Sequence, residues 1–337
     1  MSRALPLIVS IDTEEDNWQP RRDGVTVENI RELPRLDRLL RGLGVRATYF
    51  TTYQVAIREW AAATLRELHA GGAEIGSHLH PWNTPPLDEP FVPRNSMMKN
   101  LPAALQLAKL ERLTATVRDA IGETPRAFRA GRYGLGPDSV RALIRCGYRV
   151  DSSVTPFVSW EQFDEGPSFV GAPLAAYRLG GGGDVRIPEP HGALVEVPMS
   201  TGYSRVPFAV WQHVRRLLEA RPLRPLHLAG IASKLGVIRR ISLSPEMHSA
   251  GDMLTLSRCL IDEGVPHLHV FLHSTSLRPG LSPYSPDAAG VERLYRAMAS
   301  YVERLVRTTS LAFVTLSEAT ALLQPVRAVE QPAAPAP

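Results

Sequence analysis

The chain has 337 residues, 44% hydrophobic and 21% charged, a balance that allows a sizeable core in a globular protein. Its 38 basic residues against 34 acidic ones leave a net charge of +4, and no basic run argues for a nucleic-acid or membrane-surface partner. Cys146 and Cys259 have neither metal-binding nor redox spacing, and no signal-like or membrane-spanning apolar segment is evident, so the expectation is a cytoplasmic protein with reduced thiols.

Short apolar runs bounded by turn residues predict strands at 7–11, 46–51, 74–78, 126–129, 148–152, 194–198, 240–243, 269–273 and 313–316. Amphipathic stretches at 57–70, 101–121, 137–146, 253–263 and 288–307 predict helices. Such alternation implies an α/β protein whose parallel sheet, with crossover helices, closes or nearly closes into a barrel. Two irregular segments, 81–98 and 155–192, follow strands and are expected as walls or lids on the active-site face. Residues 1–323 are read as one catalytic domain, and the Pro/Ala-rich end, 324–337, as a disordered tail.

In parallel α/β folds active sites collect at the carboxyl ends of strands, so polar residues that end apolar runs are the candidates. The first run ends in Asp12, with Glu14 two residues on; one carboxylate can bind a metal while its neighbour takes a proton from water. Glu15 and Asp16 continue this acidic turn, with Asp16 the reserve ligand. The third run ends in His78-Leu79-His80-Pro81, and two histidines two apart on an extended chain can reach one cation. Trp82 follows as a candidate pocket wall. Arg129 ends the fourth run, beside glycines that let backbone approach a ligand, and can hold a carboxylate base ionised. His273 lies at the carboxyl end of its strand and is a catalytic candidate, whereas His267 and His269, at the opposite end, are read as structural. Glu246 and His248 are secondary candidates for substrate contact.

Four segments in this order, the Asp12 strand, Glu74-Ile75-Gly76-Ser77-His78, Phe128-Arg129-Ala130-Gly131-Arg132-Tyr133-Gly134 and Phe271-Leu272-His273-Ser274, resemble the polysaccharide deacetylase family, the NodB-homology group. Tyr148-Arg149-Val150-Asp151-Ser152-Ser153 is similar to a fifth family segment. The resemblance implies a distorted (β/α) barrel with loop insertions on its active-site face, one divalent ion, zinc-like, and hydrolytic removal of an acyl group from a sugar. It implies Asp12 as base, Arg129 as its orienting partner, His78 as a metal ligand, Tyr133 as the residue whose backbone N–H supports the oxyanion, and His273 as general acid. The family commonly has adjacent aspartates and two histidines four apart; here Thr13 follows Asp12, so Glu14, His78 and His80 are the expected ligands. Asp151 is a candidate to fix His273 or Arg129. The aromatic residues Trp82, Tyr133, Phe157, Trp160 and Tyr203 offer platforms for sugar faces. The expected substrate is a small or lipid-linked acylated sugar. Rival readings are a hydrolase or deformylase of a non-sugar amide, and a carbohydrate-binding barrel that has lost its metal.

Overall fold

The computed structural model describes residues 4–218 and 239–326. Its strands are β1 (Leu5–Thr13), β2 (Thr48–Thr51), β3 (Glu74–Leu79), β4 (Ala127–Ala130), β5 (Val150–Asp151), β6 (Tyr177–Leu179), β7 (Leu194–Glu196), β8 (Thr201–Tyr203), β9 (Arg240–Ser242), β10 (Leu268–His273) and β11 (Leu311–Phe313). The main sheet runs β10-β1-β2-β3-β4-β5-β7-β6, with β11 also pairing β1. Every pairing in it is parallel except that of β6 with β7, while β8 and β9 form a separate antiparallel ribbon.

This sheet curls into an incomplete barrel, the distorted (β/α) architecture expected. Between β7 and β10 the described residues form no regular ladder; single bonds join the chain beyond β7 and β9 to β10, from Ser200 N to His269 O (3.3 Å) and from Phe271 N to Leu243 O (3.0 Å). Alternation along β1 assigns its two faces. Leu7, Val9 and Ile11 belong to the large apolar cluster shared with the surrounding helices. Ile8 belongs to a smaller cluster with Phe50, Ala127, Val150 and Val197, which Leu316, Ala319 and Leu323 close from below. Above Ile8 on the same face come Ser10 and Asp12, so the barrel interior changes from apolar to polar towards the strand ends.

Register then sets the site. Asp12 on β1 pairs with His273 on β10, and His78 on β3 pairs with Arg129 on β4. All four stand at or near carboxyl ends of parallel strands.

Most departures from the predicted elements are local. The predicted 57–70 helix is Glu59–Ala70, and a separate short helix, Tyr53–Ala56, precedes it unanticipated. The predicted strand at 313–316 spans two elements, because Thr315 caps the helix Leu316–Leu322 reciprocally with Glu318 and ends the extended chain. β6 and β8, three residues each, and the helices Leu33–Gly42 and Phe208–Leu218 were not anticipated. Within the predicted tail, Val326 N donates to Ala176 O (2.8 Å), and residues 327–337 of that tail lie outside the described residues. Among the described residues no helix is long and apolar enough to cross a membrane.

Candidate functional site

Glu14, His78 and His80 meet with one ligand atom from each lying within 4.8 Å of the others. Nε2 of His78 and of His80 are 3.8 and 3.3 Å from Glu14 Oε2. The other ring nitrogens are engaged. Nδ1 of His78 donates to Arg129 O (3.0 Å), and Nδ1 of His80 donates to Glu15 Oε2 (2.8 Å), whose other oxygen accepts from Asn83 Nδ2 (2.8 Å). With Nδ1 committed as donor, each Nε2 is left to point at Glu14, the arrangement by which outer partners fix a metal-binding tautomer.

The electrostatics suit a cation. Burial drives the His78 ring towards neutrality and its pKa down to about 3, the Arg129 and His80 charges assisting and Asp12 opposing. Burial also opposes charge on His80, yet the Glu15 and Glu14 carboxylates prevail and raise it to about 9. The site therefore draws positive charge to the point where His80 faces Glu14. Two imidazoles and one carboxylate form a donor set that would fit a divalent cation.

Asp12 lies beside this group. Its Oδ1 accepts from Arg129 Nη1 at 2.6 Å. Burial would raise its pKa, but the Arg129 guanidinium, with His78 and His273, brings it down to about 2. Arg129 is itself held by Ser152 O (2.8 Å) and by Ser10 Oγ (2.8 Å), which also contacts His269 Nε2 (2.8 Å). His269, read as structural, thus buttresses Arg129 from below.

His273 approaches Asp12 from the other side, its Nε2 3.7 Å from Oδ2. Its Nδ1 donates to Glu246 Oε2 (3.0 Å), and Glu246 also accepts from the backbone N–H of His273 and from Ser276 Oγ. Burial disfavours the imidazolium, but Glu246, seconded by Glu14 and Asp12, raises the His273 pKa to about 10. Asp12 and His273 therefore carry opposite charges at neutral pH.

A cavity of about 280 Å³ opens over these residues. Trp82 stacks on His80 with centroids 4.2 Å apart, and Tyr133 stacks on Trp160 at 4.4 Å. The backbone at Arg132 and Tyr133 is left-handed, φ 51° and 61°, a strained form for residues with side chains that is found preferentially at functional sites. Gly131 before them has a clear reason: a Cβ there would lie 2.5 Å from Leu79 O and 2.7 Å from the His80 ring. The loop carrying Trp82 is pinned from beneath by Lys109. Its fully buried ammonium donates to Pro81 O (2.9 Å), Thr84 O (2.8 Å) and Pro86 O (2.6 Å) and pairs with Glu89 (3.0 Å).

Several expectations need correction. Asp151 lies off the cavity and fixes neither His273 nor Arg129; it accepts from Ser153 Oγ (2.8 Å) and Ser153 N (3.1 Å). The reason is lateral: its β-ladder partner is Glu196 on β7, and burial of the two acids side by side raises both pKa values. Asp16 is turned to its own loop, accepting from Thr26 Oγ1, Glu28 N and Asn29 N at 2.6–2.8 Å. Phe157 and Tyr203 pack with Phe208 instead of on the cavity. Glu246 holds His273, and His248 is not on the cavity wall. Glu15 went unrecognised as a partner of His80, as did Trp18, Phe163 and Tyr284 as cavity walls. The available signal for Glu15 was chemical: a ligand histidine needs a partner for its second nitrogen.

Residues 27–150 match the family model described as polysaccharide deacetylase. No curated protein matches the sequence. Among solved structures, a chain described as a polysaccharide deacetylase from Mycobacterium smegmatis is similar with a TM-score of 0.55 at 17% identity, covering 98% of this chain and 96% of that one. One described as a glycoside hydrolase/deacetylase from Parabacteroides distasonis gives 0.60 at 13%, covering 95% and 71%. The 4-alpha-glucanotransferase of Thermococcus litoralis gives 0.53 at 12%, covering 96% and 41%, a likeness of fold across different named activities. The polysaccharide deacetylase match thus covers the segment from β1's outgoing loop to β5, within a fold similar to that of these solved structures.

Proposed function

We propose that the protein is a metal-dependent hydrolase that removes an acyl group, N-acetyl foremost, from a small or lipid-linked sugar substrate. The observation that carries this reading is the facing pair of Asp12, with its pKa near 2, and His273, with its pKa near 10, beside a Glu-His-His cation site. A binding protein has no use for a base and an acid held in opposite charge states.

A divalent cation at Glu14, His78 and His80, assigned as zinc from the donor set, supplies polarisation of the acyl carbonyl and a lowered pKa for water. Asp12, kept ionised by Arg129, takes the proton of the attacking water. His273, kept protonated by Glu246, gives a proton to the departing nitrogen. Tyr133, on the cavity wall, is assigned the backbone N–H that supports the oxyanion, an interaction worth roughly 2.7–4 kcal/mol per donor in such sites. Trp82 shapes the wall on the His80 side.

Zinc titration of metal-stripped protein tests the site, with His78→Ala and His80→Ala as controls. One tightly bound ion per chain, lost in both variants, together with acetate release from acetylated amino sugars that Asp12→Asn abolishes, is the expected result. Absence of zinc binding by the wild type overturns the reading in favour of a carbohydrate-binding barrel. Turnover confined to formamides or simple amides replaces the sugar with a different acyl amide.

A further inference from the structure

The cavity over Glu14, His78 and His80 does not end at its aromatic wall. Gln19, Pro20 and Arg132 line both it and a second cavity of about 370 Å³. The other walls of that second cavity are Phe91, Val92, Pro93, Ser96 and Asp164. Large apolar side chains stand open along both: Phe91 is 52% exposed and Val92 45%, with Trp18 at 37% and Phe163 at 48% in the first cavity. Single exposed apolar residues are ordinary, but a run of them along a continuous cleft marks a surface that something covers.

The polar groups of the second cavity narrow what that is. Arg132 Nη2 pairs with Asp164 Oδ2 at 2.9 Å, so the two charged groups of the wall neutralise each other. Ser96 Oγ accepts from Arg132 Nη1 (2.8 Å) and donates to Pro93 O (2.6 Å). Arg22, over the Phe91 ring, is engaged by Trp82 O and by Glu89. A further sugar ring would set most of its hydroxyls against Phe91, Val92 and two prolines, leaving mainly the exposed Gln19 amide, at the junction with the first cavity, to offset their lost hydration. A diphosphate would need cations that are not already paired.

We infer that the second cavity takes an apolar group, an alkyl or aryl aglycone, attached to the acylated sugar whose acyl end lies over Glu14, His78 and His80. The occupant follows from continuity: one wall, Gln19, Pro20 and Arg132, serves both cavities, so one molecule spans them. This rests on the hydrolase reading above for the sugar end, while the aglycone end stands on the second cavity alone.

Calorimetric titration with hexyl and methyl β-glucosides, which carry no acyl group, tests it directly. The wild type is expected to bind the hexyl compound at least tenfold more tightly, and a Phe91→Ser/Val92→Ser variant, altered only at exposed positions, to lose that preference. Equal affinities in the wild type, or a preference that survives in the variant, overturn the inference. Turnover of the matching N-acetylglucosaminides separates the two claims. A hexyl preference in binding without any acetate release leaves the aglycone cavity standing and removes the hydrolase reading. Acetate release with no hexyl preference does the reverse.

Discussion

Glu15 Oε2 lies 2.8 Å from Nδ1 of His80, on the opposite side of that ring from Glu14. Neighbours in an extended chain point opposite ways, so two consecutive glutamates bracket one imidazole, one on each nitrogen. Glu15→Gln keeps the size of the side chain but no longer anchors the tautomer by a charge. Zinc affinity is expected to fall about 10–100-fold. Asp16→Asn, on the loop contacts with residues 26–29, is expected to leave affinity unchanged and lower stability by about 1 kcal/mol. Competition with a chromophoric chelator reads the first effect and urea unfolding the second; equal metal affinity in Glu15→Gln and wild type would refute the bracketing role.

Gly131→Ala should fail for a local reason. The added methyl would need to push back Leu79 O and the His80 ring, contacts of 2.5 and 2.7 Å. Overpacking of this kind costs about 1–3 kcal/mol, and here part of the strain falls on a ligand. The variant is expected to unfold earlier and to bind zinc more weakly. Unaltered zinc affinity together with unaltered stability would show that the β4 turn has slack.

Glu246→Gln tests the acid. With the carboxylate gone, burial is less opposed and the His273 pKa falls from about 10. The alkaline limb of the pH–rate profile is then expected to shift to lower pH, with kcat near neutrality reduced about 10–100-fold. An alkaline limb that stays in place would mean that another group donates the proton.

His267 offers a pH effect on stability away from the reacting groups. Burial lowers its pKa to about 4, its Nε2 donates to Pro198 O (3.0 Å), and the unfolded value is near 6.5. The folded form therefore binds the proton less readily than the unfolded one. Its contribution is complete above pH 6.5 and is lost as the pH falls from 6.5 towards 4, about 3 kcal/mol in all. His267→Gln, which retains an N–H donor, is expected to shrink the stability difference between pH 7 and pH 4 by about that amount in urea unfolding. An unchanged difference counts against it.

Most of the barrel was legible because buried parallel strands read as continuous apolar runs, and a polar residue ending such a run is conspicuous, as at Asp12, His78, Arg129 and His273. The spacing of His78 and His80 placed them on one face by alternation alone. Glu246 and Trp18 were harder, because their meaning comes from contacts with His273 that only the closed fold creates. Asp151 misled for the converse reason: it ends a strand like the others, but its strand neighbour Glu196 turns it into a buried acid pair. β6 and β8 are three residues long and held by their partners, so no periodicity could announce them.

Lys109 stands on the helix Ala103–Ile121, yet it grips the chain that leaves β3. Loop and helix are therefore one structural unit. A chimaera that transplants residues 81–98 from a relative, leaving this helix behind, would strand an ammonium in the interior without its carbonyls, a defect of about 3–5 kcal/mol. The smallest portable unit for redesigning this wall runs from β3 through Ile121, with its own cation built in.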